Sequence, residues 1–494
     1  MVGAGNALSV SGPVAIIISY TVVGVLVYAV LCALGEVAAA GPVPSTVFDH
    51  AERFCDPALG FTLGWIYWLK YLVVMPNQLT AAALIISYWL DAESVNPGVW
   101  ITAFLALIIT ANYLATPFFG KFEFFLSAFK VLVVLGLIIL STVLVFGGGP
   151  DHNMKMFRYW KNPGPFPYND TGVLGKIRAI SRTMPSATFA YIGSELIGMS
   201  ILHTPDPRRT ASQAIRLTFY RIFVFNILCV TLVGMLIPYD SELLAFAHDA
   251  VKPTMASVFV VVIQLAKLNA LPSILNACIL IFVLSSANYG LHMSTKTIYG
   301  LSRDKNAPAF LSRTDQRGTP VYALGVCSTL ASLAYLNVSS NSKALFGYFV
   351  NLVTMFGLLT WISILITHIS FVRALKAQGV PDEALTFRAP LGSFGSGAAL
   401  VCCFLVSLMR GFEIIDQAAS GKGFDYTNFI TSYLGIPLYL CLVIGYKLVT
   451  RCKRIKPIEA DLWSDRSVIA MGVAEEKASK QKGLIDRIIG AWLL

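Results

Sequence analysis

Glu195 lies in the middle of an apolar stretch, Ser186-Ala187-Thr188-Phe189-Ala190-Tyr191-Ile192-Gly193-Ser194-Glu195-Leu196-Ile197-Gly198-Met199, with Arg182 before it and Arg208-Arg209 after it. A carboxylate at bilayer depth is expensive, so it faces a protein interior and by default marks a ligand or ion path. Gly193 and Gly198 weaken the helix around it, and an unwound turn there exposes amides and carbonyls that hydrocarbon cannot satisfy. Such groups call for a polar ligand. Broken helices whose ends face a charged substrate are the architecture of one large group of secondary transporters. The same residues have a plainer reading, in which the two glycines are helix-packing notches and Glu195 pairs with a buried Lys or Arg.

Other polar residues interrupt apolar runs. Lys130 stands inside Ser127-Ala128-Phe129-Lys130-Val131-Leu132. Burial disfavours a charged lysine, which suits it to take up and release a proton or to act as a fixed cation; the alternative is a stem that snorkels to the headgroups. Lys70, Asn77 and Gln78 bracket Pro76, which frees a carbonyl one turn back and favours a kink toward a wet cavity. Asn288 with Ser285 and Ser286 makes a similar interruption, and such side chains also serve as glue between helices. Gly147-Gly148-Gly149 before Pro150 is a helix stop rather than a phosphate cradle. No nucleotide loop, metal-ligand cluster or nucleophile–base pair is discernible, so the expectation is no enzyme, no cofactor and no metal.

These groups have to be positioned by membrane helices. Of the 494 residues, 56% are hydrophobic and only 13% charged, a composition that belongs to polytopic helical membrane proteins. The net charge of +10 then reflects basic loops rather than a nucleic-acid partner. The nine cysteines show no framework or zinc spacing and read as small buried hydrophobes. Met1-Val2-Gly3-Ala4-Gly5-Asn6 lacks the basic region of a signal peptide.

Apolar segments long enough to span run at about 13–37, 60–90, 98–116, 122–147, 184–203, 217–238, 272–300, 321–337, 346–371, 395–410 and 432–450. The basic connections near 204–216, 302–320 and 372–391, and the tail with Lys447, Arg451, Lys453, Arg454 and Lys456, are expected in the cytoplasm. The basic 148–182 connection is expected outside, because long loops translocate largely regardless of charge. Two acceptor tripeptides, Asn169-Asp170-Thr171 and Asn337-Val338-Ser339, fall on that outer face. Residues Pro42 to Arg53 predict a re-entrant or interfacial helix, and Pro253 to Lys267 an amphipathic surface helix over the outer vestibule. The last stretch, 468–494, mixes lysines with Ile485, Ile488, Ile489 and Trp492, and reads either as a segment on the inner leaflet or as a frayed tail.

Several segments together resemble the fungal-type amino-acid permeases of the amino acid–polyamine–organocation superfamily, over nearly the whole chain. Phe189 to Gly198 is similar to the family's sixth-helix signature, and Asp206-Pro207-Arg208-Arg209 to the turn after it. Phe119-Gly120-Lys121-Phe122-Glu123-Phe124 followed by Lys130-Val131 resembles the fifth-helix motif. Trp361 to Phe371, then Ala374-Leu375-Lys376-Ala377-Gln378-Gly379, is similar to the end of the tenth helix.

The resemblance implies an all-α polytopic membrane protein with a LeuT-like inverted five-helix repeat plus two C-terminal helices. Residues 1–450 would form the permease domain, about eleven complete helices with a partial first one, and 451–494 a cytoplasmic tail. It implies proton-coupled import of amino acids across the plasma membrane by alternating access, with an amino acid, a proton and membrane lipid as partners. The substrate would meet open backbone at the helix breaks. Phe189, Gly193, Ser194, Glu195, Asn77, Gln78 and Asn288 are the expected substrate-binding residues, and Lys130 and Glu195 the expected proton-coupling residues. Lys130 would sit against the first helix, where the family's lysine can stand in for sodium.

Three departures accompany this. Met1 to Leu8 matches only the second half of the family's first helix; Gln78 replaces a common third-helix glutamate; and His203, which can titrate near neutrality, replaces an acidic residue late in the sixth helix. They raise a competing expectation, a non-transporting amino-acid sensor or an inactive truncated relative.

Overall fold

The computed structural model describes residues 4–40, 47–90, 95–114, 119–149, 152–167, 172–198, 207–241, 258–265, 271–336, 342–381, 385, 387–411, 414–415 and 423–462. The two acceptor asparagines, His203 and the 468–494 segment lie outside them. Helices α1 (Ala4–Ala40), α2 (Val47–Phe54), α3 (Pro57–Ile86), α4 (Pro97–Leu114), α5 (Phe119–Val145), α6 (Arg158–Lys161) and α7 (Gly172–Tyr191) make up the first part of the chain. Then follow α8 (Pro207–Leu236), α9 (Val258–Leu265), α10 (Leu271–Arg303), α11 (Val321–Ala331), α12 (Ser342–Ala377), α13 (Gly392–Met409), α14 (Tyr426–Tyr433) and α15 (Gly435–Thr450). No strand occurs among the described residues.

Eight of these helices are long and apolar enough to cross a membrane, and a ninth span is supplied if α14 and α15, bent by 40°, act together. Val321–Tyr335 is apolar but shorter, and the span expected over 184–203 is interrupted at Gly193 and runs into undescribed residues. The protein is a multi-pass membrane protein.

Burial separates an inner from an outer set of helices. The most apolar stretch of α3 is 78% buried and that of α12 72%, against 17% for α4 and 22% for α5. α3 packs against α10, α12, α2 and α15, while α1 packs against α7, α8, α12 and α13. On α5 the exposed Phe125, Leu132 and Ile139 recur every seventh residue, a single apolar face toward lipid.

Local sequence explains where several elements begin and bend. Asp56 caps α3 by accepting from the Ala58 amide at 2.9 Å, with Pro57 in the first turn. α1 is two helices meeting at Gly12, whose φ of +79° suits glycine, and a Cβ there would meet the Pro165 carbonyl oxygen at 2.8 Å. Ser19 of α1 contacts the Thr183 hydroxyl of α7 and donates to the Ile180 carbonyl at 3.1 Å, so hydroxyls hold these two helices together.

At the end where α2 lies, the first part of the expected tail packs onto the helices. Ile455 donates its amide to the Cys55 carbonyl, Gln378 reaches the Ala460 carbonyl at 2.6 Å, and Arg53 pairs with Asp461 at 2.9 Å. α2 is amphipathic as expected, with Phe48, His50, Ala51 and Phe54 buried. The helix expected over Pro253 to Lys267 differs. Only Val258–Leu265 is described as helical, and Val258 through Ile263 are all buried. Its polar residues stand at the ends of an unbroken apolar run, so the run is covered by α8 and α10 rather than laid on a surface.

Candidate functional site

α7 ends at Tyr191, and residues 192–195 form a turn before Leu196 to Gly198 resume a helical path. Gly193 has φ +94°, a conformation that a side chain strains; the space for a Cβ is open, so the backbone rather than crowding calls for glycine. The amides of Ser194, Leu196, Ile197 and Gly198 each reach the carbonyl three residues back instead of four. The helix therefore breaks at the position the glycines indicated.

Glu195 closes this turn and is 2% exposed. Its Oε2 accepts from the Gly193 amide at 3.1 Å and from the Trp361 indole N–H of α12 at 3.2 Å. Its Oε1 forms an ion pair with the ammonium of Lys70, a fully buried residue of α3. The Lys70 ammonium also lies over the rings of Tyr67 and Tyr71, 4.1 and 4.5 Å from their centroids. A carboxylate, an ammonium and three aromatic side chains thus join α3, the break and α12. Buried charges are tolerated when paired and hydrogen-bonded, and both partners here meet that condition.

On the other side of the break is a cavity of about 550 Å³, within the size range of small-molecule sites. Tyr191, Gly193 and Ser194 line it from the break, Ser127 from α5, Tyr289 from α10, and Thr218, Arg221 and Asn226 from α8. Arg221 is the charged group among these lining residues. A cavity walled by this turn and by hydroxyl, amide and guanidinium groups can hold a small zwitterion or anion.

The other expected residues are distributed as follows. Phe189 packs against an apolar cluster formed by residues of α3 and α12, among them Ile66, Val353 and Phe356. Asn77 is fully buried in α3, and neither amide atom has a hydrogen-bond partner among the described residues; Gln78 beside it is half-buried. Asn288 accepts from the Asn112 amide at 2.8 Å, which ties α10 to α4. Lys130 donates to Ser285 of α10 at 2.7 Å and pairs with Glu123 of its own helix at 3.2 Å. Its described hydrogen bonds are thus to α10 and α5 rather than to α1. Of the expected substrate-binding residues, Gly193 and Ser194 line the cavity, while Glu195 fixes the turn from behind.

Sequence reasoning did not assign Lys70 to Glu195, nor anticipate Trp361 or Arg221. A signal for the first was available: a buried carboxylate demands a cation, and Lys70 is the lysine deep inside the neighbouring polar helix.

The amino acid permease family matches residues 1–458. The chain belongs to that family. A dicarboxylic amino acid permease of Saccharomyces cerevisiae is 42% identical over 95% of this chain and 77% of its own length. A proline-specific permease of the same yeast is 34% identical over 92% of this chain and 73% of its own, and a lysine-specific permease 31% identical over 97% and 77%. Among solved structures, a manganese transporter mutant of Eremococcus coleocola superposes with a TM-score of 0.50 at 13% identity, covering 91% of this family member and 93% of that chain. That likeness concerns the fold alone: an all-α, LeuT-like arrangement, in which a helix broken at bilayer depth is an expected feature.

Proposed function

We propose that this chain imports amino acids across the plasma membrane together with protons, by alternating access. Amino-acid transport follows from the family; the break at Gly193 opening onto a cavity is the observation that supports the finer reading. The relatives are named for dicarboxylic, proline and lysine substrates alike, so what they share is the end of the substrate bearing the α-amino and carboxyl groups. That shared end suits the polar groups around the cavity, among them Ser194 of the turn and the Arg221 guanidinium. Phe189, Asn77, Gln78 and Asn288 complete the proposed substrate set from α7, α3 and α10. Glu195 holds the turn in register through Lys70 and Trp361. Lys130 and Glu195, each opposed by an ion of the other sign, take part in coupling by holding α5 to α10 and the break to α3 and α12.

Uptake of a mixed set of radiolabelled amino acids in a permease-deficient yeast, at about pH 5 and about pH 7.5, tests this reading, since a proton-coupled importer is driven by the inward proton gradient. Uptake above the empty strain and faster at the acid pH is expected. No uptake by protein that reaches the cell surface would overturn the transport reading, and equal uptake at both values the coupling.

A further inference from the structure

The apolar helices and the break carry three carboxylates among the described residues: Glu36, Glu123 and Glu195. Two of them face lysines, Glu123 with Lys130 and Glu195 with Lys70. The third, Glu36 near the end of α1, faces His368 of α12, with Nε2 and Oε2 3.0 Å apart and both side chains buried. Histidine is the one side chain whose ordinary titration lies between pH 5 and 8. Glu36 Oε2 also accepts from the Ala389 amide at 2.8 Å, and His368 Nδ1 lies 2.8 Å from the Ser396 hydroxyl of α13.

We propose that His368, with Glu36 as its fixed counter-charge and Ser396 as its hydroxyl partner, is the proton-binding site of transport, a proposal that rests on the proton-coupled reading above.

The hydrogen bonds of the cluster accommodate both proton states. With His368 neutral, Nε2–H donates to Glu36 and the Ser396 hydroxyl donates to Nδ1. With a proton added at Nδ1, Nε2–H still donates to Glu36, and Nδ1–H donates to the Ser396 oxygen after the hydroxyl has turned. A hydroxyl is both donor and acceptor, so no buried partner is orphaned by the change. The cluster goes from a net charge of −1 to 0, and the hydrogen bond from a neutral imidazole to the Glu36 carboxylate becomes one between two ions, which is stronger.

That change acts where three helices meet. Glu36 belongs to α1, His368 to α12 and Ser396 to α13, and Ala389 lies in the α12–α13 connection. Ala389, whose amide reaches Glu36, is buried between the exposed Arg388 and Pro390. Among the titratable neighbours, Cys32 lies one turn back in α1, the Cys55 thiol after α2 accepts from Ser370 two residues beyond His368, and Arg388 carries an exposed side chain. α8 contributes Ile215, which lies against Gly35, and Gly198 after the break meets Leu34. No lysine competes with the histidine for Glu36 among the described residues.

The test compares the full chain with His368→Gln and Ser396→Ala, at matched surface amounts, in two assays: accumulation driven by an acid exterior, and exchange of internal for external labelled amino acid. His368→Gln is expected to lose at least about tenfold in accumulation and to flatten the pH profile between about pH 5 and 7.5, while exchange is retained. Ser396→Ala, which changes the imidazole's partner alone, is expected to move the midpoint of the pH profile by up to about one unit. An unchanged pH profile and undiminished accumulation in both variants would overturn the proposal. So would loss of exchange in step with accumulation in both, which is the mark of a structural role. If the unaltered chain neither accumulates nor exchanges any amino acid, the transport reading itself fails; if it does both and only the variants behave normally, this assignment alone fails.

Discussion

The cluster around Glu195 and the cluster around Glu36 are built from the same kind of anion and differ in the cation. Glu195 meets Lys70, whose ammonium is further held by two tyrosine rings, and Glu36 meets His368, backed by a serine hydroxyl. The Glu195 carboxylate is held at once by Lys70, the Gly193 amide and the Trp361 indole, so the first cluster works as a pin across α3, the break and α12. The His368 imidazole, with the Ser396 hydroxyl able to donate or accept, keeps all its partners in either proton state, so the second cluster is the one to which the proposal assigns the proton. On that proposal burial and pairing alone do not mark a proton site; the type of cation decides.

The largest expected effect comes from breaking the pin. Lys70→Ala leaves the Glu195 charge buried and unpaired, which should cost about 3–5 kcal/mol of stability and abolish uptake. Combining Lys70→Met with Glu195→Leu should recover most of the stability without the uptake. Thermal unfolding in detergent alongside transport checks both, and a Lys70→Ala protein as stable as the parent would refute the pin.

His50 of α2 sharpens the comparison from the other side, because it is a buried histidine with Arg53 for a neighbour instead of a carboxylate. Burial first, and the Arg53 charge second, push its pKa from 6.5 down to about 4. The folded state therefore resists protonation that the unfolded chain accepts. The stability it contributes is present above about pH 6.5 and is lost as the pH falls toward about 4, on the order of 3 kcal/mol in all. His50→Gln should flatten that part of the stability–pH curve, as read by melting temperature across the range; an identical slope in parent and variant would remove His50 from the account.

Gly193→Ala tests the turn itself. A φ of +94° should cost about 1–2 kcal/mol with a Cβ present, and uptake should fall although Lys70 and Glu195 are intact. Uptake at the parental rate would show that the turn tolerates a side chain and is not part of the binding surface. The smallest effect is expected at the third pair. Lys130 and Glu123 are 28% and 18% exposed, so Lys130→Ala should cost about 1 kcal/mol or less in melting experiments, far below Lys70→Ala. Equal losses at the two lysines would mean that depth of burial does not rank these pairs.

Much of the fold could be read directly. The apolar runs predicted the long helices, Asp56-Pro57 marks the start of α3, and the two glycines flanking Glu195 located the break. Less could be read at the surface. The segment Pro253 to Lys267 reads in sequence as an amphipathic surface helix, whereas the apolar residues of Val258–Leu265 are enclosed by α8 and α10. Of the site, Glu195 and Gly193 stood out by cost and by type, yet Arg221 reads in sequence as one more basic residue of α8 until the cavity is seen beside it.

The sequence by itself determined that this is a helical membrane protein, where one helix is interrupted, and which buried charges need partners. Hydropathy, glycine content and the cost of burying an ion are local properties of a segment, and a segment carries them wherever it packs. Only the tertiary structure decided who the partners are. Lys70 meets Glu195 across 125 residues, Lys130 meets Ser285 across 155 and Glu36 meets His368 across 332. No periodicity reaches over such distances, because those pairings are set by which helix faces come together in the packed bundle.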